Sequence, residues 1–131
     1  SCALQESQGS YQETLDQVKR ILGQALKKER IILSLELLAE ASHDPELEKV
    51  LQVADVKART HLKDICYPDS EDPMDWIRVE LGMATIEGLG LRFLRNPSLD
   101  FDAVCEQVAD RIYTPREKLK QQIRELQSLK G

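Results

Sequence analysis

Glu40-Ala-Ser-His43 sets a carboxylate and an imidazole three residues apart, the spacing that puts both on one helical face in four-helix di-iron proteins. Such a centre needs a second copy of the motif, and the only other histidine, His61, has Ala58 three residues before it. The set is incomplete, so no metal is expected. His43 falls at a helix end, where an imidazolium favours the negative end of the dipole, and His61 reads as a solvated or pocket-edge side chain. Cys2, Cys66 and Cys105 are odd in number and widely spaced, which suits small apolar fillers in a reducing cytosol better than a disulfide or zinc framework. No phosphate-cradling glycine loop, G-x-S-x-G or Cys/His pairing at a recognised spacing occurs, so neither an enzyme nor a cofactor is expected. What remains is a pair of acids, Glu80 and Glu87, seven residues apart on the side of a helix that carries Trp76, Ala84, Leu91 and Leu94. A carboxylate among apolar side chains must meet a cation, a hydrogen-bond donor or a ligand. A salt bridge serves either acid, and Glu80 has a second reading as a polar group in an apolar pocket beside Trp76 and Ile77.

The chain that positions these groups has 131 residues, 41% of them hydrophobic and 31% charged, with six glycines and five prolines. That is the size and make-up of one soluble globular domain rather than a disordered or fibrous chain. Eighteen basic against 23 acidic side chains leave a net charge of -5, which disfavours direct contact with nucleic acid. No uncharged run exceeds six residues, against roughly 20 for a bilayer span, and no basic-then-apolar leader opens the sequence. A cytoplasmic protein with no membrane association is the expectation.

Apolar residues recur at three- and four-residue steps and never alternate over a strand's length, which predicts an all-α bundle of about six antiparallel helices. Residues 1–9 read as a disordered polar tail, and Ser10 with Glu13 forms a capping box that starts helix 1 at Tyr11. Its stripe is Tyr11, Leu15, Val18, Leu22 and Ala25, interrupted by the charged cluster Lys27 to Arg30. Residues 31–41 are leucine-rich nearly all round and predict a central, mostly buried second helix. Asp44-Pro45 and Asp72-Pro73 are start signals for helices 3 and 4, because proline at the first position gives up only an amide without an intrahelical partner. Helix 3 buries Leu47, Val50, Leu51, Ala54, Ala58, Leu62 and Ile65 and ends before Pro68; helix 4 runs from Pro73 to Arg95 and stops at Asn96-Pro97. Asp100 caps helix 5, whose face is Phe101, Val104, Cys105, Val108 and Ile112, and a Thr114-Pro-Arg-Glu117 box opens a helix 6 with the stripe Leu119, Ile123, Leu126 and Leu129. The helical domain thus spans 10–114, and 115–131 is an amphipathic helical extension.

On helix 4, Arg78, Thr85 and Arg92 form one narrow polar strip with apolar residues around most of the rest. A small domain struggles to cover such a helix alone, so a second copy of the chain is expected to share in covering it, giving a homodimer. Gly82, Gly88 and Gly90 predict a tight helix crossing along the same segment.

The run from Leu81 to Val104, LGMATIEGLGLRFLRNPSLDFDAV, resembles the end of TetR-family transcriptional regulators, where a small-apolar, acid-Gly-Leu, Leu-Arg helix passes through a short Asn-Pro turn into the last helix. Leu35 to Leu47, LELLAEASHDPEL, is similar to the family's leucine-rich helix and the Asp-Pro-Glu-Leu start that follows it. The resemblance covers Tyr11 to Tyr113. It implies an effector-binding and dimerisation domain, whose middle helices enclose a small, mostly apolar molecule and whose last two matched helices pair with their copies. Carried over by position, the ligand would meet Leu22, Leu26, Leu33, Leu37, Leu62, Trp76, Ile77, Glu80 and Met83. The dimer would use Ile86, Glu87, Gly90, Phe93, Leu94, Val104, Cys105, Val108 and Ile112.

Family members begin with a three-helix DNA-binding unit of about 50 residues, and nothing before Tyr11 could form one. Two functions therefore stand side by side. One is the effector-sensing and dimerisation domain of a TetR-like regulator. The other is a stand-alone TetR-like interaction module, an anti-activator or adaptor, that binds another regulator and lacks DNA binding.

Overall fold

Aspartate decides where the middle helices begin. In the computed structural model of this chain, which describes residues 2–112 and 115–130 and their side chains over 11–111 and 121–130, the Asp44 carboxylate accepts from the amides of Glu46 and Leu47 at 3.1 and 3.2 Å. Asp72 does the same for Met74 at 3.0 Å, and Asp100 for Ala103 at 3.2 Å. Each satisfies an amide that the first turn leaves without a partner. The resulting elements are α1 (Cys2–Ala25), α2 (Lys28–Ala41), α3 (Pro45–Cys66), α4 (Met74–Arg95), α5 (Phe101–Ile112) and α6 (Pro115–Lys130), with no strand among the described residues. The chain is an all-α helical bundle.

Two expectations about the start of the chain are corrected. Helix α1 begins at Cys2, so residues 2–9 are helical rather than a tail and Ser10 lies inside the helix instead of capping it. Ala3, Leu4, Gln5, Glu6 and Gln8 are good helix formers, and they outweigh a four-residue box that Ser and Glu also make by coincidence. The charged cluster does break the helix, at Lys27, whose extended backbone (φ -63°, ψ 129°) separates α1 from α2; Lys28, Glu29 and Arg30 then form the first turn of α2. The Thr114 capping box falls outside the described residues, although α6 does open at Pro115.

The chain divides into two compact units, one made of the residues up to Ile21 and from Asp100 on, the other of Leu22–Leu99. In the first, Tyr11 donates to Asp110 at 2.9 Å and Lys19 pairs with Asp102 at 3.7 Å. Eight residues up α1 thus correspond to eight residues down α5, which makes the two helices antiparallel. The buried Leu15 and Val18 lie between these ties on α1, and the buried Cys105, Val108 and Ala109 lie between them on α5.

In the second unit α2, α3 and α4 pack on one another. The tight crossing expected from the glycines of α4 lies within the chain. A Cβ added at Gly82 would stand 3.3 Å from the Leu62 side chain of α3, and one at Gly90 would stand 3.4 Å from Ile31 of α2. Gly88 is different, since an added Cβ there meets nothing within 4 Å. In the unassociated single chain, at low protein concentration, Gly88→Ala should therefore gain most of the ~1 kcal/mol helix-propensity advantage of alanine. Gly82→Ala should gain none of it, because Leu62 must give way. Urea unfolding of the two variants, followed by circular dichroism, checks the contrast; equal stabilisation would contradict the packing at Gly82.

Candidate functional site

The second unit is built around a buried acid. Asp75 is only 3% exposed, although it sits in the first turn of α4. One of its oxygens receives Nη1 of Arg78 at 2.6 Å, and the other receives the Ser70 hydroxyl. Arg78 also reaches Asp72 at 3.3 Å, and these two carboxylates, Asp75 foremost, hold the guanidinium pKa above its usual value. Lys63 of α3 donates to the Ser70 carbonyl at 3.2 Å and lies 5.4 Å from the centroid of the Trp76 ring. The turn between α3 and α4 is thereby tied to both helices. Within it Asp69 adopts a left-handed backbone (φ 59°), which a short polar side chain tolerates. The cluster is mutually satisfied, and its chemistry is that of a structural clasp.

Of the residues expected around a ligand, Leu22 and Leu62 are buried, and Leu26, Leu37 and Met83 are half-buried. Leu33, Trp76 and Ile77 stand at the surface. Glu80 is exposed as well, and its carboxylate lies 3.5 Å from Nε of Arg59, which also holds Asp55 at 2.7 Å. Of its two readings the salt bridge is the one formed. The second helix also departs from expectation. Only Ile31 and Ala41 of α2 are buried, whereas Ile32, Leu33, Leu35 and Leu38 face out, as do Val50, Val53 and Val56 of α3. Packing three helices side by side gives each an inner side only, so a helix that is apolar all round must leave part of its leucine exposed.

The same division is sharpest on α4. Its inner side carries Asp75, Val79, Gly82, Ile86, Gly90 and Phe93, all buried or half-buried. Diametrically opposite run Met74, Ile77, Leu81, Ala84, Gly88 and Leu91, and all six are exposed. Leu81 is 65% exposed. Arg78, Thr85 and Arg92 follow one edge of this outer stripe, and Glu80 and Glu87 follow the other. Sequence reading missed Met74 and Leu81 as surface contributors, yet their signal was present in the three-four-three-four-three spacing of the six residues.

The residues expected at a dimer interface are accordingly scattered. Gly90 is closed off by Ile31 of its own chain, and Ile86 and Phe93 are half-buried on that inner side. Glu87 is exposed at the edge of the outer stripe, and Leu94 is half-buried. On α5, Cys105 and Val108 are buried within the chain and Val104 is half-buried; the Ile112 side chain lies outside those described.

Cys66 and Cys105 are free thiols, as their expected role as fillers requires. Burial pushes the Cys66 pKa up to about 11, and burial likewise raises that of Cys105 against the opposing effect of Lys19. No protein-family model, curated protein or solved structure matches the chain.

Two outcomes follow from this geometry. Asp75→Ala removes the acceptor of both Arg78 and Ser70, and should cost about 1–3 kcal/mol in a thermal or urea melt; an unchanged melt would show that the clasp contributes nothing. At pH 8 a thiol with a pKa near 11 is ionised to roughly one part in a thousand. Iodoacetamide should therefore alkylate Cys66 in the folded chain at least about tenfold more slowly than in urea, and the buried Cys105 should be slowed in the same direction, read by peptide mass spectrometry. Equal rates would place both thiols in solvent.

Proposed function

We propose that this chain is a non-catalytic regulatory bundle of the TetR C-terminal type that works by assembling with protein, in the first place with a second copy of itself. The outer face of the α2–α4 unit carries this reading. Leucines 33, 35 and 38, valines 50, 53 and 56, and the α4 stripe through Leu81 are all solvent-exposed in the single chain. Each of the three helices thus leaves an apolar stripe open to solvent, the kind of surface that a partner covers. A net charge of -5 leaves direct nucleic-acid binding to some other polypeptide.

The half-buried and buried thiols that remain unpaired support a reducing, cytoplasmic setting. An adaptor that covers this face with another regulator is the same chemistry with a different partner. Effector sensing, which the resemblance also implies, calls for Leu33, Trp76 and Ile77 to turn inward, away from where they stand in the single chain.

Native mass spectrometry of freshly purified protein tests the proposal, because one spectrum reports subunit count and any retained small molecule. The expected result is a dimer of 14.9 kDa chains with no added mass. A monomer carrying a reproducible extra mass would overturn self-assembly and favour the sensor.

A further inference from the structure

The outer stripe of α4 carries more than exposure. Met74, Leu81 and Gly88 recur every seven residues, with Ile77, Ala84 and Leu91 three residues after each. These are the a and d positions of three consecutive heptads, the pattern by which two helices seat side chains in each other's gaps. The helix is already packed on its opposite side against α2 and α3, so the stripe is a second, unused seam. Ala84 and Gly88 lie in its middle. Among the described residues nothing approaches the place of a Gly88 Cβ, so their packing gives no reason for a glycine there, whereas a close-approaching helix does.

The charges beside the seam select the polarity of that second helix. Glu80 and Glu87 occupy g positions, and Arg78, Thr85 and Arg92 occupy e positions. In a symmetric parallel pair the g edge of one helix meets the e edge of the other, five residues further on; in an antiparallel pair each edge meets its own kind. Arg78 is engaged by Asp75 and Asp72, and Glu80 is engaged by Arg59. Glu87 and Arg92 are exposed, have no ion pair among the described residues, and are five residues apart. The antiparallel arrangement sets acid against acid and arginine against arginine, which costs affinity.

We propose that two copies of the chain associate through this outer face of α4 in parallel, with Glu87 lying against Arg92 of the partner subunit on both sides of the seam. The inference rests on the self-assembly reading above and specifies the helix, its polarity and its register.

Sedimentation equilibrium of the full chain and four variants tests it. Glu87→Arg and Arg92→Glu should each weaken the dimer roughly tenfold, since each breaks two symmetric pairs and replaces them with repulsion. The double variant E87R/R92E restores complementarity and should return to within a few-fold of the original. Leu81→Glu, at a position open to solvent in the single chain, should abolish the dimer while circular dichroism shows the helices intact. A tighter dimer for Glu87→Arg would establish an antiparallel seam and overturn the proposal. Dimers of unchanged affinity for Glu87→Arg and Leu81→Glu would move the interface off α4 and overturn it while leaving self-assembly standing. A parent chain that stays monomeric would overturn both.

Discussion

A carboxylate that must be taken out of water to start a helix is the constraint on which the α2–α4 unit depends. Asp75 is buried with Arg78 from one turn further along the same helix and Ser70 from the turn before it as partners. Asp72 sets where α4 begins, and those two partners hold the side of its first turn that carries Asp75. Its rotation then decides that Val79, Gly82 and Gly90 face inward and that the residues opposite them face out. A rotation of a quarter-turn would move the glycines off Leu62 and Ile31 and bring larger residues to places where even an added Cβ stands 3.3–3.4 Å from its neighbour. The electrostatic clasp and the helix crossings are therefore one arrangement seen at two ends.

An outer face this apolar is costly for a chain to carry unless something covers it. The inner side of α4 is satisfied by α2 and α3, and no further helix of that unit is left to cover its outer side. The proposed assembly would complete the burial that three helices do not provide by themselves. The same reasoning applies to the exposed leucines of α2 and valines of α3. In a bundle of this kind the distinction between core and interface is set by the number of helices available, more than by residue type.

Local signals were legible in the sequence and non-local ones were not. The Asp44-Pro45 and Asp72-Pro73 steps announced their helices because capping depends on neighbours two or three residues away. Six helices and the position of the α1–α2 break were legible for the same reason. The glycines of α4 announced a close approach, but which helix approached could not be read, since Ile31 and Leu62 lie 59 and 20 residues distant in sequence from Gly90 and Gly82. The leucine-rich run of α2 has the pattern of a buried core helix, yet most of its leucines are exposed. Hydrophobicity reports that a side chain prefers cover, and whether the same chain supplies it depends on a packing arrangement that no local pattern contains. The same holds for Trp76, Ile77 and Glu80, which share a stretch of helix and in the single chain face solvent or Arg59.

The clasp also happens to lie beside the chain's one tryptophan. Trp76 follows Asp75 directly and has the Lys63 ammonium 5.4 Å from its ring. An indole that is partly solvated and close to a fixed cation has an emission sensitive to both. With excitation at the red edge of the spectrum, where tyrosine does not absorb, the fluorescence of the unlabelled protein therefore arises from a single place, the junction of α3 and α4. Any event that loosens that junction is visible there without a probe being added, and events confined to the α1–α5 pair are optically silent at that wavelength.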